Sequence, residues 1–309
     1  MRTPPLLVCC GLATLDVVQV VDHVPAPDEK LVAGDLDVSF GGPAANAAAT
    51  AVALGVPAVL VTALGAGPVA DLVRAGLVAA GVEVVDLLAG RPGSPAVSTV
   101  LVTRSTGERA VVSVNATGAG DLRGAADAVV DQVLARATAV LVDGHHLGAA
   151  RVVAAAAHTR GIPVLLDGGS WKPGLEALIA HVDHAVLSAD LAFPGVAGDG
   201  VLDAVAELGP GFVAQSAGGG PVRIRATSAD GVRTSSVLQP PDVPASEVVD
   251  TLGAGDVLHG ATAAALARGV DVRAALAEGV LRASESVRHR GALGWASGPR
   301  GSSTVRPSR

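Results

Sequence analysis

The chain is predicted to be an α/β protein, a three-layer sandwich whose mostly parallel central sheet is covered on both faces by helices. Three observations predict it. Apolar runs of strand length recur at 6–10, 58–62, 139–143, 164–167, 185–188 and 212–215. Alanine-rich stretches of helical length lie between them, at 69–80, 125–137 and 149–159. Gly55-Val56-Pro57 and Gly161-Ile162-Pro163 punctuate the chain where a helix must stop before the next strand. Strand then helix, repeated this often, gives a parallel sheet, and strands buried on both faces read as unbroken Val, Leu and Ala runs.

Taken in order, the first strand carries adjacent Cys9 and Cys10. Neighbouring cysteines in a strand do not suit a structural disulfide, so a reducing, cytoplasmic setting is expected. Leu6-Leu7-Val8-Cys9 has the look of a lipid-attachment signal, but only Arg2 precedes it and the apolar stretch is too short. Residues 38–70 carry no charged side chain and the mean hydropathy is +0.49, which raises the question of a membrane span. Gly41, Gly42, Pro43, Asn46, Gly55 and Pro57 divide that run into a turn, a helix near 43–54 and a strand near 57–63, each too short to cross. Residues 31–40 and 94–115 break the α/β pattern and read as alternating strands, the second a hairpin around Ser105-Thr106-Gly107-Glu108. They predict a small antiparallel β lid, inserted near 31–42 and 94–115 into one domain spanning 1–296, with a frayed Gly/Ser/Arg/Pro tail at 297–309. Twenty-two basic against 29 acidic residues, net −7, with no basic cluster in the body of the chain, argue against nucleic acid as a partner.

An open parallel sheet binds ligands beyond the carboxyl ends of its strands. Asp16, Asp143 to His146, Asp167, Ser188 and Gln215 to Gly220 fall at that edge. Four patterns compete for the chemistry. Gly65-Ala66-Gly67-Pro68-Val69-Ala70 has dinucleotide-fingerprint spacing, with Glu83 and Asp86 about twenty residues on. It does not open the first crossover of the sheet, however, and it sits in a chain with 39 glycines. Ala214-Gln215-Ser216-Ala217-Gly218 approaches a nucleophile elbow, yet Gly218-Gly219-Gly220-Pro221 forbids the helix that must follow the serine. What remains is strand, glycine turn and returning strand near 222–226, a place where backbone approaches a ligand. His145 and His146 are neighbours pointing apart, and His181 and His184 lie three apart near a helix end, without metal-ligand spacing.

The fourth pattern occurs twice. Gly-Ala-Gly-Asp stands at 118–121 and at 253–256, each time before helical sequence. Successive small-residue N–H groups opening a helix form an anion hole, and an Asp in the first turn stands beside whatever binds. A transferring phosphoryl group and an attacking alcohol fit that arrangement. Arg123, Asp127, Asp131 and Arg136 make the first helix a solvated one, whereas 257–267 carries no charge and predicts a buried helix. A buried helix start needs partners for its free N–H groups, which favours Asp256 as the working copy and Asp121 as an ordinary helix start.

The extended string Asp250-Thr251-Leu252-Gly253-Ala254-Gly255-Asp256, followed by His259-Gly260-Ala261, resembles the signature of the ribokinase-like (PfkB) carbohydrate kinases. Phe40-Gly41-Gly42-Pro43-Ala44-Ala45-Asn46 is similar to the family's N-terminal motif. The resemblance extends from Gly11-x4-Asp16 through Gly107-Glu108-Arg109 to Gly291-Ala292, and the lack of a G-K-[ST] phosphate loop fits it. It implies a ribokinase-like fold and an ATP- and Mg2+-dependent sugar kinase that phosphorylates a hydroxymethyl group. Asp256 is then the catalytic base, and Gly253, Ala254 and Gly255 the anion hole. Asp16, Gly41, Gly42, Asn46, Arg109 and His145 face the sugar, and Gly41-Gly42 is the hinge of the lid. Ser188, Ser216, Ala217, Gly218, Gly220, Gly255, Ser286 and His289 flank ATP, and Asp250, Leu252 and Gly291 imply a monovalent cation site, K+ by expectation. A homodimer through the lid is also implied.

Three positions depart from the family pattern. Ser188-Ala189-Asp190-Leu191 stands for Asn-x-x-Glu, Ala217 for a nucleotide-loop glycine, and Ala66-Gly67 for an acidic pair. Ser188 and Ala217 keep a non-catalytic sugar-binding relative open as an alternative. Gly41-Gly42-Pro43-Ala44-Ala45, Val142-Asp143-Gly144-His145-His146 and the C-terminal string are similar to the ketohexokinase and sulfofructose kinase branch, which implies a ketose. His145 stands where those relatives often carry Arg, which argues against an anionic sugar. A nucleoside kinase is the other alternative; no Tyr and three Phe argue against it, because bases usually stack on rings.

Overall fold

The computed structural model describes residues 3–196, 198, 200–228 and 230–296, so the predicted tail at 297–309 lies outside the described residues. The first half runs β1 (Leu7–Cys10), β2 (Thr14–Val21), β3 (Asp35–Gly41), α1 (Pro43–Ala53), β4 (Ala58–Thr62), α2 (Pro68–Ala79), β5 (Glu83–Asp86), β6 (Ala96–Thr103) and β7 (Arg109–Ser113). Then come α3 (Arg123–Leu134), β8 (Ala139–Val142), α4 (Leu147–Thr159), β9 (Val164–Gly168), α5 (Leu175–Ile179), β10 (His184–Leu187) and α6 (Gly200–Glu207). The chain continues with β11 (Phe212–Ala217), β12 (Gly220–Thr227), β13 (Arg233–Leu238), α7 (Ala254–Ala267) and α8 (Val272–Ser286).

The main sheet has the order β13-β12-β11-β10-β9-β8-β1-β4-β5. From β11 to β5 every pairing is parallel, and β12 and β13 add an antiparallel edge. Side chains alternate between two cores. Leu7 and Cys9 face α1, α2, α7 and α8, while Val8 and Cys10 face α3, α4, α5 and α6. With no wet face, these strands have no polar alternation to show. No helix among the described residues is long and apolar enough to cross a membrane.

The order of strands turns at β1, which lies between β4 and β8. The chain leaves β1 towards β4 and β5, then returns to β8 and proceeds through β9, β10 and β11. The crevice beyond the carboxyl ends of β1 and β8 is therefore the switch point at which an open α/β sheet leaves room for a ligand.

Two glycines let the helices over this crevice approach closely. A Cβ on Gly260 of α7 would stand 2.6 Å from the Ala47 carbonyl oxygen of α1, and one on Gly279 of α8 would stand 2.2 Å from Thr262 Oγ1 of α7. Helix α7 is buried from Val257 to Ala267, as its charge-free sequence requires.

The second sheet has the order β3-β2-β6-β7, with antiparallel pairs β2–β3 and β6–β7 joined by a parallel β2–β6 contact. The sequence shows β3, β6 and β7 but leaves β2 unread, because Thr14-Leu15-Asp16-Val17-Val18-Gln19-Val20-Val21 mixes apolar and polar residues without strict alternation. Its neighbours come from the other lid segments, and most of its side chains are only half-buried. His184, expected near a helix end with His181, instead opens β10 and pairs with Leu165 and Phe212.

Gly260→Val is expected to destabilise the protein by about 2 kcal/mol through overpacking, measured by urea denaturation. Gly55→Ala, at φ +80° but with open space around it, is expected to cost only about 1 kcal/mol.

Candidate active site

Three segments meet beyond β1, and one carboxylate holds them. Asp143, just after β8 and 3% exposed, accepts hydrogen bonds from the backbone N–H of Leu12 (2.7 Å), Ala44 (3.2 Å) and His145 (2.9 Å). It thereby fastens the end of β1, the first turn of α1 and the approach to α4 to one point. Gly11 is required beside it, since a Cβ there would overlap the Asp143 carboxyl at 2.2 Å.

The chain reverses from the lid strand β3 into α1 at Gly41-Gly42. A Cβ on Gly41 would lie 1.9 Å from Asp16 Oδ2, and Gly42 has φ +95° with the Leu12 carbonyl oxygen 2.6 Å from its would-be Cβ. Pro43 then starts α1 without needing an N–H partner. Asp16 stands in the middle of β2, opposite Ser39 and Ser98, and accepts a 2.6 Å hydrogen bond from Thr14 Oγ1. Burial raises its pKa, the Thr14 and Ser98 hydroxyls oppose that, and Asp37 adds to it.

Opposite, Gly253 adopts φ +75° against Ala292 and α7 begins at Ala254. Asn46 Nδ2 of α1 donates to Asp256 Oδ2 at 2.7 Å, so the two motifs furthest apart in sequence touch. Burial pushes the Asp256 carboxyl up to about 7. Asp167 and Asp16 add to the rise, while the Asn46 hydrogen bond and His259 oppose it. First-turn N–H groups of a helix have no partner one turn back, and the helix dipole favours an anion there. Such a turn, beside a carboxylate that accepts a proton near neutral pH, suits anion binding together with proton removal from an alcohol.

The twin motif differs. Asp121 is exposed and its Oδ1 accepts from Arg123 N at 3.0 Å, as at an ordinary helix start. The glycine-rich Gly65 loop has a structural explanation too: Asp86 accepts from the N–H groups of Leu64 and Gly65 and pairs with Arg74 at 2.9 Å.

The other predicted residues lie around this centre. His145 is half-buried, its pKa lowered by burial. Arg109 is exposed at the start of β7, where Val24, Thr103, Gly107, Glu108 and Thr251 join it around a cleft of about 590 Å³. No direct bond links it to Asp16 or Asp256. Ser188 Oγ accepts from Asp190 N, and Gln215 Nε2 donates to the Ser188 carbonyl. Ser216, Ala217, Gly218 and Gly220 form the turn between β11 and β12, with Ser216 Oγ donating to the Leu187 carbonyl and Gly218 at φ +58°. Ser286 is buried at the end of α8 and donates to the Ala283 carbonyl, while His289 reaches Glu285 at 3.4 Å. Asp250 accepts from Leu252 N (2.8 Å) and Gly291 N (2.9 Å), which brings the three predicted cation-site residues together. Among the described residues no group of three or more His, Cys, Asp or Glu is placed to hold a metal ion.

Sequence reasoning put Asp143 and Asp167 at the sheet edge without giving either a part. Their signal is a carboxylate at the carboxyl end of an otherwise apolar strand, where nothing but a specific partner compensates its burial. Thr14 and Ser98, the hydroxyl partners of Asp16, carried no signal because β2 was not read as a strand.

A half-buried helix start, a carboxylate raised towards neutral pH beside it and a neighbouring β lid are features that suit phosphoryl transfer. The description pfkB family carbohydrate kinase matches residues 4–296, and the chain belongs to that family. It is 27% identical over 304 residues to a ribokinase of Arabidopsis thaliana, covering 94% of this chain and 78% of that protein. Among solved structures, a candidate ribokinase from Agrobacterium tumefaciens aligns with TM-score 0.81 at 26% identity over 94% of both chains. The Arabidopsis thaliana ribokinase complexed with ribose and ATP shares the fold, with TM-score 0.72 and 23% identity over 94% of this chain and 95% of that one. The protein is a carbohydrate kinase with the ribokinase-like fold.

Asp143→Ala is expected to cost about 3 kcal/mol, because it strands three backbone N–H groups. Asp143→Asn, which keeps one acceptor, is expected to cost less than half of that by the same urea measurement.

Proposed function

We propose that the protein transfers the γ-phosphoryl group of ATP to a hydroxymethyl group of a sugar, with a ketose as the favoured acceptor. The observation that carries this reading is the Asn46–Asp256 contact at the half-buried start of α7. The acceptor's hydroxyl oxygen bonds to the γ-phosphorus as the bond to the β,γ-bridging oxygen breaks and ADP leaves; the hydroxyl proton passes to Asp256. The N–H groups at Gly253, Ala254 and Gly255 stabilise the charge on the transferring group. Asp16, Asn46 and the backbone at Gly41-Gly42 take sugar hydroxyls, which suit carboxylate and amide partners. His145 and Arg109 are assigned to the same sugar by the motif resemblance, Arg109 from the lid strand β7. Asp35 of β3 pairs with Arg290 at 2.6 Å, holding the lid to the segment beside Gly291.

The turn 216–220, with Ser188, Ser286 and His289, flanks the nucleotide. Mg2+ binds through few carboxylates and the substrate's phosphates, so it would enter with ATP. The loop that Asp250 closes onto Leu252 and Gly291 offers carbonyl oxygens of the kind a monovalent cation such as K+ takes. The ketose preference rests on the motif strings; a pentose is the second reading, favoured by the ribokinase relatives.

A coupled ADP-release assay over ketoses, aldoses and nucleosides tests the proposal: turnover with a ketose is expected, and sugar binding without any turnover would contradict it. Asp256→Asn is expected to lower kcat by about 1000-fold with sugar affinity kept, and Asp121→Asn to change neither. The base must be ionised, so kcat should fall as pH drops below about 7.

The lid leaves Val32 95%, Leu36 60% and Val112 74% exposed, an apolar face that supports a homodimer through this sheet. Light scattering is expected to give twice the chain mass, and Val112→Glu to give the monomer.

A further inference from the structure

His259 has no part in the reaction described above, yet its ring is fully engaged. It lies one turn after Gly255 on α7 and is 5% exposed. Nδ1 stands 2.6 Å from the Gly255 carbonyl oxygen and 3.3 Å from Asp167 Oδ2, and Nε2 stands 3.0 Å from the Val186 carbonyl oxygen. The two carbonyls and the Asp167 carboxyl can all accept; a neutral ring donates to one side at a time, and an apolar ring of the same size to neither.

The Gly255 carbonyl belongs to the same planar peptide unit as the Asp256 N–H. In a trans peptide the two point in opposite directions, so fixing the oxygen fixes the direction of the amide. Val186 is in β10 and Asp167 in β9, both in the main sheet. A single side chain therefore connects the first turn of α7 to the sheet edge that carries the ligand crevice.

We infer that His259 is a positioning residue for phosphoryl transfer: it straps the Gly255–Asp256 peptide to β9 and β10 and so aims the Asp256 amide and carboxylate into the cleft. This inference rests on the kinase reading of the site. The ionisable groups around the strap are Asp167 from β9 and Asp256 on the same helix; Asp16 from β2 and the Asn46 amide from α1 act on Asp256. Burial lowers the pKa of the His259 ring, with the Val186 and Gly255 carbonyls and Asp256 opposing. His259 in turn opposes the rise of Asp256, so its removal should move Asp256 further up and shift the acid limb of kcat to higher pH.

The test is His259→Phe, which keeps the volume and removes both ring nitrogens, with urea denaturation run alongside. Expected are a fall in kcat of at least about tenfold, with sugar and ATP dissociation constants within about twofold of the parent. The Asp256 carboxyl, followed by 13C NMR in the unliganded protein, should titrate at higher pH than in the parent. His259→Gln, with one donor in reach, is expected to fall between the two, and it carries the same measurements if the phenylalanine variant does not fold. An unchanged kcat, or an unchanged Asp256 titration, would overturn the inference. If the parent phosphorylates no sugar, the kinase reading fails on that result and the Asp256 titration alone decides the strap.

Discussion

The hydrogen bond from Asn46 Nδ2 to Asp256 Oδ2, 2.7 Å long between residues 210 positions apart, is the constraint that the rest of the molecule serves. It joins the first turns of two helices whose bodies are buried. Helix starts in such places carry N–H groups that must find partners or remain costly. For α1 the Asp143 carboxylate supplies one partner at Ala44. For α7 the Thr251 carbonyl oxygen supplies one at Ala254, 3.3 Å away. Gly260 lets α7 lie close against α1, and Gly41 and Gly42 let the lid strand enter α1 without blocking Asp16. The reversal of strand order at β1 places both helix starts over one gap in the sheet.

This arrangement works against stability at the point where it favours chemistry. Asp256 titrates at about 7 in the folded protein, well above its ordinary carboxylate value of 3.8. A group whose pKa rises on folding favours the folded state while protonated and disfavours it as it ionises. Asp256 therefore withdraws stability as pH rises from the ordinary carboxylate range through about 7. Asp167, pushed well above the usual range by burial and by Asp143, acts in the same sense. The fold tolerates these acids because the two apolar cores on either side of the sheet hold them in place. The result is a base poised to lose or gain a proton at neutral pH.

Much of this was legible in the sequence, and for physical reasons. Strands buried on both faces announce themselves, and the run read at 58–62 is β4 residue for residue. The charge-free stretch at 257–267 is the buried body of α7, and Asp256 in front of it is half-buried where its twin Asp121 is exposed. The sequence was less informative where burial was partial. Strand β2 has only half-buried residues along most of its length, and β13 is mostly polar and exposed at the sheet edge, so neither stands out as a run. Side-chain partnerships between distant segments were also hidden. That Asp143 would gather three backbone amides, or that His259 would reach Val186, depends on how strands and helices stack and not on any local pattern.

The central claim is that phosphoryl transfer takes place where α1 and α7 begin. A crystal structure with a sugar acceptor and a non-hydrolysable ATP analogue tests it most directly. The terminal phosphate is expected on the N–H groups of 253–256, and the acceptor's hydroxymethyl oxygen within hydrogen-bonding distance of the Asp256 carboxylate. A terminal phosphate bound elsewhere, at the Asp121 turn or in the Gly65 loop, would contradict it.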